Sequence, residues 1–213
     1  FAHVHLDFRR CEFESALLMS KITDFSTVYK EKAWCVKRPF LVCTFPSREI
    51  AIEVVGRCVL IHSLFEYWGE SILLEDLPSA VMKRNTEKLN DVEKHCKGEK
   101  TWSIVFESFA WKYTFEEKNE IRAKFSDCLP NDGKVRISNP DSEFFIIRET
   151  EVDYNGCPTF PRFDHNCVEV IANKLKAPLA CYLGLKICNG NRDKVDKYDL
   201  KKREKSGGYL GPT

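Results

Sequence analysis

The chain has 213 residues, 43% of them hydrophobic and 31% charged, and its 33 Lys and Arg almost balance its 32 Asp and Glu. This composition is ordinary for a globular protein, and the length allows one domain or two small ones, each with a buried core. No apolar run approaches the roughly 20 residues needed to span a bilayer, and the first residues do not resemble a secretory signal. We therefore expect a soluble protein of the cytoplasm.

Short apolar runs alternate with helical patterns through the first eighty or so residues. The pattern predicts strands at residues 1–6, 40–45 and 59–67 and helices at residues 12–19, 47–55 and 73–82. Ser47 is a natural N-cap for the second helix and Gly56 closes it, while Pro78 kinks or restarts the third. Strands and helices in such quick alternation favour a small sheet covered by helices on one face, of the ferredoxin-like kind.

Residues 83–100 are polar and predict a linker, with a domain boundary near residue 90. A second unit then begins with a predicted strand at residues 101–109, in which apolar and polar side chains alternate. Thr114 and Glu117 form a capping box that starts a helix with an apolar face. Further strands are predicted at residues 134–138, 143–149 and 180–188, the last two separated by a proline-bearing loop. The fold class is therefore α/β (α+β), with domains at residues 1–90 and 91–190.

Charge is distributed unevenly along the chain. Residues 171–213 carry ten Lys and Arg against four Asp and Glu, which leaves 33 − 10 = 23 basic and 32 − 4 = 28 acidic residues in the preceding part. A net charge of +1 therefore conceals about −5 followed by +6. The basic part is either a phosphate-binding surface for RNA or a solvated linker, and the residues alone allow both. The candidate RNA-binding residues are Lys174, Lys176, Lys186, Arg192, Lys197, Lys201, Lys202 and Arg203.

The ten cysteines include no Cys-x-x-Cys pair, and most lie in apolar stretches, which predicts buried, reduced thiols. Cys157, His165 and Cys167 lie close together, but their spacing fits no zinc pattern. His3 and His5 alternate with apolar residues along the edge of a predicted strand. We therefore predict no metal site, and no Ser/His/Asp or Cys/His arrangement suggests a catalytic residue.

Six short phrases occur in an order and approximate spacing that point to one family. They are LDFR at 6–9, FEYWG at 65–69, GKV at 133–135, FFII at 144–147, DKYDLKKR at 196–203 and YLGPT at 209–213. Together they resemble the N-terminal half of the eukaryotic tRNA guanosine-10 N2-methyltransferases. The resemblance extends over the whole chain, and its most specific part is the C-terminal one.

The resemblance implies a ferredoxin-like N-terminal domain, a THUMP-like RNA-binding α/β domain at residues 91–190, and a basic linker at residues 191–213. The linker would lead to a Rossmann-like methyltransferase domain that this fragment lacks. The parent enzyme would bind tRNA, use S-adenosylmethionine, and pair through the missing domain with a small zinc-binding activator subunit. The fragment alone is predicted to bind no cofactor and to be inactive, because Gly207, Gly208 and Gly211 follow no strand and the family's Asp-Pro-Pro-Tyr phrase is absent.

Two other functions stay open at this point: a stand-alone RNA-binding adapter, and the THUMP portion of another tRNA-modifying enzyme that performs thiolation or deamination. The chain also departs from its family at residues 182–186, YLGLK, where the family usually has Tyr-Phe-Gly-Arg. Leu185 takes the place of that arginine. Lys186 follows, but adjacent strand residues face opposite sides, so its equivalence is open. The aromatic residues at 65–69 either stack on a base or pack in the core.

Overall fold

The computed structural model of the protein describes residues 7–35, 38–84, 95, 99–108, 113–125, 128, 133–150 and 178–192. Within them lie four α-helices and five strands, which confirms the mixed α/β class. In chain order the elements are α1 (Phe8–Met19), α2 (Arg48–Arg57), β1 (Ser63–Ser71), α3 (Leu77–Arg84), β2 (Thr101–Ser108), α4 (Phe115–Lys124), β3 (Lys134–Val135), β4 (Ser142–Thr150) and β5 (Pro178–Asn189). Two short 3-10 helices, Phe25–Thr27 and Glu31–Ala33, lie between α1 and α2.

The chain divides into two compact units. The first unit comprises Phe1–Leu64 and Cys188–Thr213, and the second unit comprises Phe65–Ile187. These divisions fall within β1 and β5, so α3 and most of β1 belong to the second unit although the sequence assigned them to the first domain. The boundary predicted near residue 90 falls among residues 85–94, which lie outside the described part of the chain.

The first unit packs α1 and α2 around a shared apolar core. Val54 of α2 is buried there together with Phe13, Ala16 and Leu17 of α1, and the α1 residues have the three- and four-residue spacings that place side chains on one helix face. The Ser47 side chain accepts a hydrogen bond of 3.3 Å from the Ile50 amide, which confirms the predicted N-cap. Gly56 does not close α2, because its φ is not positive and the helix continues to Arg57.

The strand predicted at residues 40–45 is wrong, because the structure has no strand there. Leu41, Cys43 and Phe45 do alternate into the core, which produces the pattern that the sequence shows. The backbone, however, makes only isolated bonds, such as the 2.8 Å bond from the Thr44 amide to the Val28 carbonyl. An extended segment that packs without a neighbouring ladder has the periodicity of a strand but is not one.

The strand predicted from residue 59 begins only at Ser63. The reason is a tertiary contact, since the amides of Val59 and Leu60 donate to the Glu12 carboxylate at 2.8 and 2.9 Å. Glu12 thus takes the donors that a ladder would have used. The remaining strand predicted for the ferredoxin-like domain, at residues 1–6, lies outside the described residues.

The second unit is built on a five-stranded mixed sheet with the order β1-β5-β4-β2-β3. β4 is antiparallel to β5, and β2 is parallel to both β4 and β3. One face of the sheet packs with α3 and α4 around a core. Its buried side chains include Trp68, Leu77, Trp102, Phe125, Phe144, Ile146 and Leu183. The predicted helix at residues 73–82 begins only at Leu77, with Pro78 in the first turn, where its missing N–H is not needed.

The capping box predicted for α4 is confirmed in both directions. The Glu117 amide donates to the Thr114 hydroxyl at 3.2 Å, and the Thr114 amide donates to the Glu117 carboxylate at 2.7 Å. Ile121 and Phe125 are buried, which agrees with the apolar face predicted for this helix. β3 is shorter than predicted, since it ends at Val135, and Asn139, which the prediction placed just beyond the strand, has a positive φ of 48°.

Candidate nucleic-acid interface

β5 carries Leu185 and Lys186 on opposite faces of the sheet. Leu185 pairs with Phe144 in the ladder, and its side chain is only 2% exposed within the core of the second unit. Lys186 contacts Glu143 and Phe145, which lie on the other face. Lys186 is therefore not equivalent to the arginine that the family has one position earlier, because successive strand residues point in opposite directions.

The Lys186 ammonium group has a carboxylate partner. Its Nζ donates to Glu143 Oε2 at 2.6 Å and lies 5.6 Å from the centroid of the Phe145 ring. The side chains of Lys186 and Glu143 are 22% and 29% exposed, so the pair is partly withdrawn from water. A charge-assisted bond at this distance and a cation–π contact both stabilise the ammonium group where it is.

Arg192 follows β5 in the first unit and is exposed to solvent. The backbone just before it is held by the Gly190 amide, which donates to the His62 carbonyl at 2.9 Å, and by the Asn191 amide, which donates to the Cys58 carbonyl at 2.8 Å. A Cβ at Gly190 would lie 1.8 Å from the Ile61 carbonyl oxygen, so only glycine fits there. The Arg192 side chain makes no ion pair in the part of the chain that the structure describes, so an exposed guanidinium stands on an anchored backbone.

Lys186 belongs to the second unit and Arg192 to the first. The other six predicted RNA-binding residues lie outside the described residues: Lys174, Lys176, Lys197, Lys201, Lys202 and Arg203.

Sequence reasoning missed further cations of the second unit that have their own partners. The Arg122 guanidinium lies 5.4 Å from the Phe106 ring centroid and donates to the Asn119 side chain at 2.9 Å. The Lys124 ammonium lies 3.6 Å from the Glu75 carboxylate. The spacing of three residues on α4 could have predicted the contact between Arg122 and Asn119, whereas the contacts with Phe106 and Glu75 depend on the tertiary fold.

The aromatic phrase at residues 65–69 packs inside the second unit. Trp68 is buried against Phe144, with ring centroids 5.5 Å apart, and the ring centroids of Phe65 and Phe145 are 4.7 Å apart. The core interpretation is therefore confirmed for Trp68, whose ring is not available for stacking on a base.

A charged network in the first unit uses residues next to the LDFR phrase. The Arg10 guanidinium donates to Glu14 at 2.8 Å and also to Glu31, while the Tyr29 hydroxyl donates to Glu14. Burial and the Glu14 carboxylate raise the pKa of Tyr29 to about 12, and the bonds to Glu31 and Glu14 raise the pKa of Arg10. Each carboxylate of this network is engaged with a donor, so the network holds α1 and Glu31–Ala33 together.

The cysteines described by the structure are unpaired thiols. Burial raises the pKa of Cys43 and of Cys58 to about 12 and that of Cys181 to about 11. Because the thiolate is the nucleophile, these thiols are unreactive at neutral pH. The described residues contain no group of His, Cys, Asp and Glu that could hold a metal ion. The segments with Cys157, His165 and Cys167 and with His3 and His5 lie outside the described residues.

Comparison with known proteins shows the family of the chain. A family model described as the Tmrp11 THUMP N-terminal domain matches residues 1–192, which is most of the chain. The chain belongs to this family. The resemblance inferred from the six sequence phrases is thereby confirmed, and the family name identifies the match as an N-terminal part.

Relatives of this family member align over nearly all of its length. The tRNA (guanine(10)-N(2))-methyltransferase TRMT11 of Rattus norvegicus is 30% identical over 100% of the chain, and that of Homo sapiens is 29% identical over 100%. The tRNA (guanine(10)-N(2))-methyltransferase of Saccharomyces cerevisiae is 26% identical over 96%. The chain spans only about 40% of the length of these relatives. No solved structure matches it.

Of the helices that the structure describes, none is both long enough and apolar enough to cross a bilayer.

Proposed function

We propose that the chain is the tRNA-binding N-terminal part of an S-adenosylmethionine-dependent tRNA (guanine-10-N2) methyltransferase. The observation that carries the proposal is the alignment of the whole chain with relatives named for this reaction. Membership of a THUMP family supports RNA binding as the contribution of this part. The part of the enzyme that corresponds to the remaining length of the relatives would carry out the methyl transfer and bind a small zinc-binding activator subunit. The whole enzyme would act in the cytoplasm.

The described residues do not fit S-adenosylmethionine. A Rossmann-like cofactor site needs a glycine-rich turn between a strand and the N-terminus of a helix. Gly56 lies inside α2, Gly69 inside β1 and Gly184 inside β5, while Gly133 precedes β3 and Gly190 follows β5. Of these five glycines, only Gly190 lies between a strand and a residue in helical conformation, Arg192. A single glycine is not a glycine-rich turn, so no step of methyl transfer is assigned to the described residues. We expect calorimetric titration of the chain with the cofactor to show no saturable heat.

Phosphate contacts explain how such a chain would hold tRNA. Arg192 is the described residue that suits this role best, because its guanidinium is exposed and its backbone is anchored. The basic side chains on either side along the sequence would extend the contact surface: Lys174, Lys176, Lys197, Lys201, Lys202 and Arg203. Contacts of this kind set affinity and orientation without reading sequence, which suits a module that recognises folded tRNA by its shape.

The test is tRNA binding by the chain at several salt concentrations, measured by fluorescence anisotropy. Replacing Lys201, Lys202 and Arg203 together with Ala should weaken binding about equally across tRNA sequences. Each lost phosphate contact should also flatten the slope of log affinity against log salt by about 0.7 to 0.9, hence about 2 to 3 for the triple variant.

The matched control removes cations that already have carboxylate partners. Ala at Arg57 and at Lys124, which pair with Glu53 and Glu75, should leave the salt slope nearly unchanged. Binding that does not saturate for the unaltered chain would contradict the proposed function. A triple variant with the unaltered salt slope would move recognition away from residues 201–203.

A further inference from the structure

Lys186 is the only basic residue in the sequence of β5, and the fold fixes its position closely. The neighbouring ladder pairs are Phe144 with Leu185 and Phe145 with Gly184. A Cβ at Gly184 would lie 2.8 Å from the Glu66 carbonyl oxygen, so β1 approaches β5 closely at this point. The register therefore holds the Lys186 and Glu143 backbones side by side.

The contact between Lys186 and Glu143 competes directly with any phosphate. A phosphate oxygen that approached Lys186 would have to replace the Glu143 carboxylate at 2.6 Å from the ammonium group. It would also leave that carboxylate partly buried, without its cation and next to a second negative charge. Both consequences oppose phosphate binding at Lys186.

We propose that Glu143 neutralises Lys186 and thereby limits the affinity of the second unit for RNA. This inference rests on the proposed function, because it concerns how the same tRNA is held. It withdraws Lys186 from the predicted phosphate contacts and assigns Glu143 as a residue that lowers affinity. Leu185, at the position where the family has an arginine, supplies no second cation on β5, because it is apolar and its side chain lies in the core.

The experiment is a mutant cycle at these two positions, read out as tRNA affinity and its salt slope. Lys186→Met should bind tRNA with the affinity and slope of the unaltered chain. Glu143→Gln should free the ammonium group, bind about fivefold more tightly at physiological salt, and steepen the slope by about 0.7 to 0.9. The double variant should return to the unaltered values, because the gain requires Lys186.

A matched control separates this local effect from a change in net charge. Glu120 is an exposed carboxylate on α4 in the same unit. Glu120→Gln removes the same charge without releasing a lysine, so it should change the affinity less than Glu143→Gln and leave the salt slope alone.

A second measurement does not depend on RNA. Partial acetylation with acetic anhydride, followed by mass spectrometry, should modify Lys186 more slowly than the exposed Lys30 in the unaltered chain. In Glu143→Gln the rate at Lys186 should rise towards that at Lys30. Thermal unfolding identifies a variant that fails to fold. If Glu143→Gln fails to fold, tRNA binding by Lys186→Met and the acetylation of the unaltered chain still test the inference.

Three outcomes would overturn the inference. A loss of affinity with a flatter salt slope in Lys186→Met would show that Lys186 already contacts phosphate, and the proposed function would stand. Equal acetylation of Lys186 in the unaltered chain and in Glu143→Gln would show that the carboxylate does not restrain it. A failure of every variant to bind tRNA would overturn the proposed function, and the inference with it.

Discussion

Lys186 lies in β5 and Arg192 follows that strand in the sequence, yet their charges are used in different ways. Lys186 is partly buried against Glu143 and Phe145, whereas Arg192 is exposed beyond the last ladder residue. Arg10 of the first unit resembles Lys186, since two carboxylates engage it. The difference shows that a count of basic residues overstates the positive charge that a surface offers to RNA. A cation that already pairs with a carboxylate contributes little to neutralising phosphates.

The largest expected effect comes from placing a charge where the family has its arginine. Leu185→Arg would bury a guanidinium in the core of the second unit and should lower the free energy of unfolding by about 3 to 5 kcal/mol. Leu185→Met, the control, should cost less than about 1.5 kcal/mol. Chemical denaturation measures both. A stable Leu185→Arg variant would mean that β5 can present a cation at position 185.

A smaller effect concerns the paired network around Arg10. The pKa of Tyr29 is raised from 10 to about 12, so its protonated hydroxyl stabilises the fold below pH 10. That contribution should disappear as the pH rises through 12, because the hydroxyl then ionises in the folded state as well. The stability difference between the unaltered chain and Tyr29→Phe should therefore shrink by about 1 to 2 kcal/mol between these pH values. A difference that stays constant would show that Tyr29 titrates normally.

The Lys186–Glu143 pair itself should contribute less to stability. Because both side chains keep some contact with water, we expect a coupling energy of about 0.5 to 1 kcal/mol from the free energies of unfolding of the two single variants and the double variant. Arg192→Ala is the control and should change stability by less than about 0.5 kcal/mol. A coupling energy of zero would leave the pair without a structural role.

The sequence predicted the elements that depend on neighbouring residues. The Ser47 cap and the Thr114–Glu117 capping box were found from the chain alone, because each closes within three residues. Alternating apolar residues predicted β2 correctly but failed at residues 40–45. In both segments alternate apolar side chains pack against a core, and only β2 has strands beside it, so the pattern reports packing against a core rather than strand pairing.

The partners of the candidate site residues could not be predicted in this way. The pairing of Lys186 with Glu143 depends on the register between β4 and β5, two strands that residues 151–177 separate in the sequence. Lys186 and Arg192 therefore looked alike as members of one basic segment. The opposite faces of Leu185 and Lys186, by contrast, followed from strand geometry once β5 was placed.

The central claim is that exposed cations such as Arg192 hold tRNA and that Lys186 does not. The most direct test compares the salt dependence of tRNA binding for Arg192→Ala and Lys186→Met, each against the unaltered chain. We predict that Arg192→Ala flattens the slope of log affinity against log salt by about 0.7 to 0.9, while Lys186→Met leaves it unchanged. The reverse pattern, with a flatter slope in Lys186→Met and none in Arg192→Ala, would contradict the account.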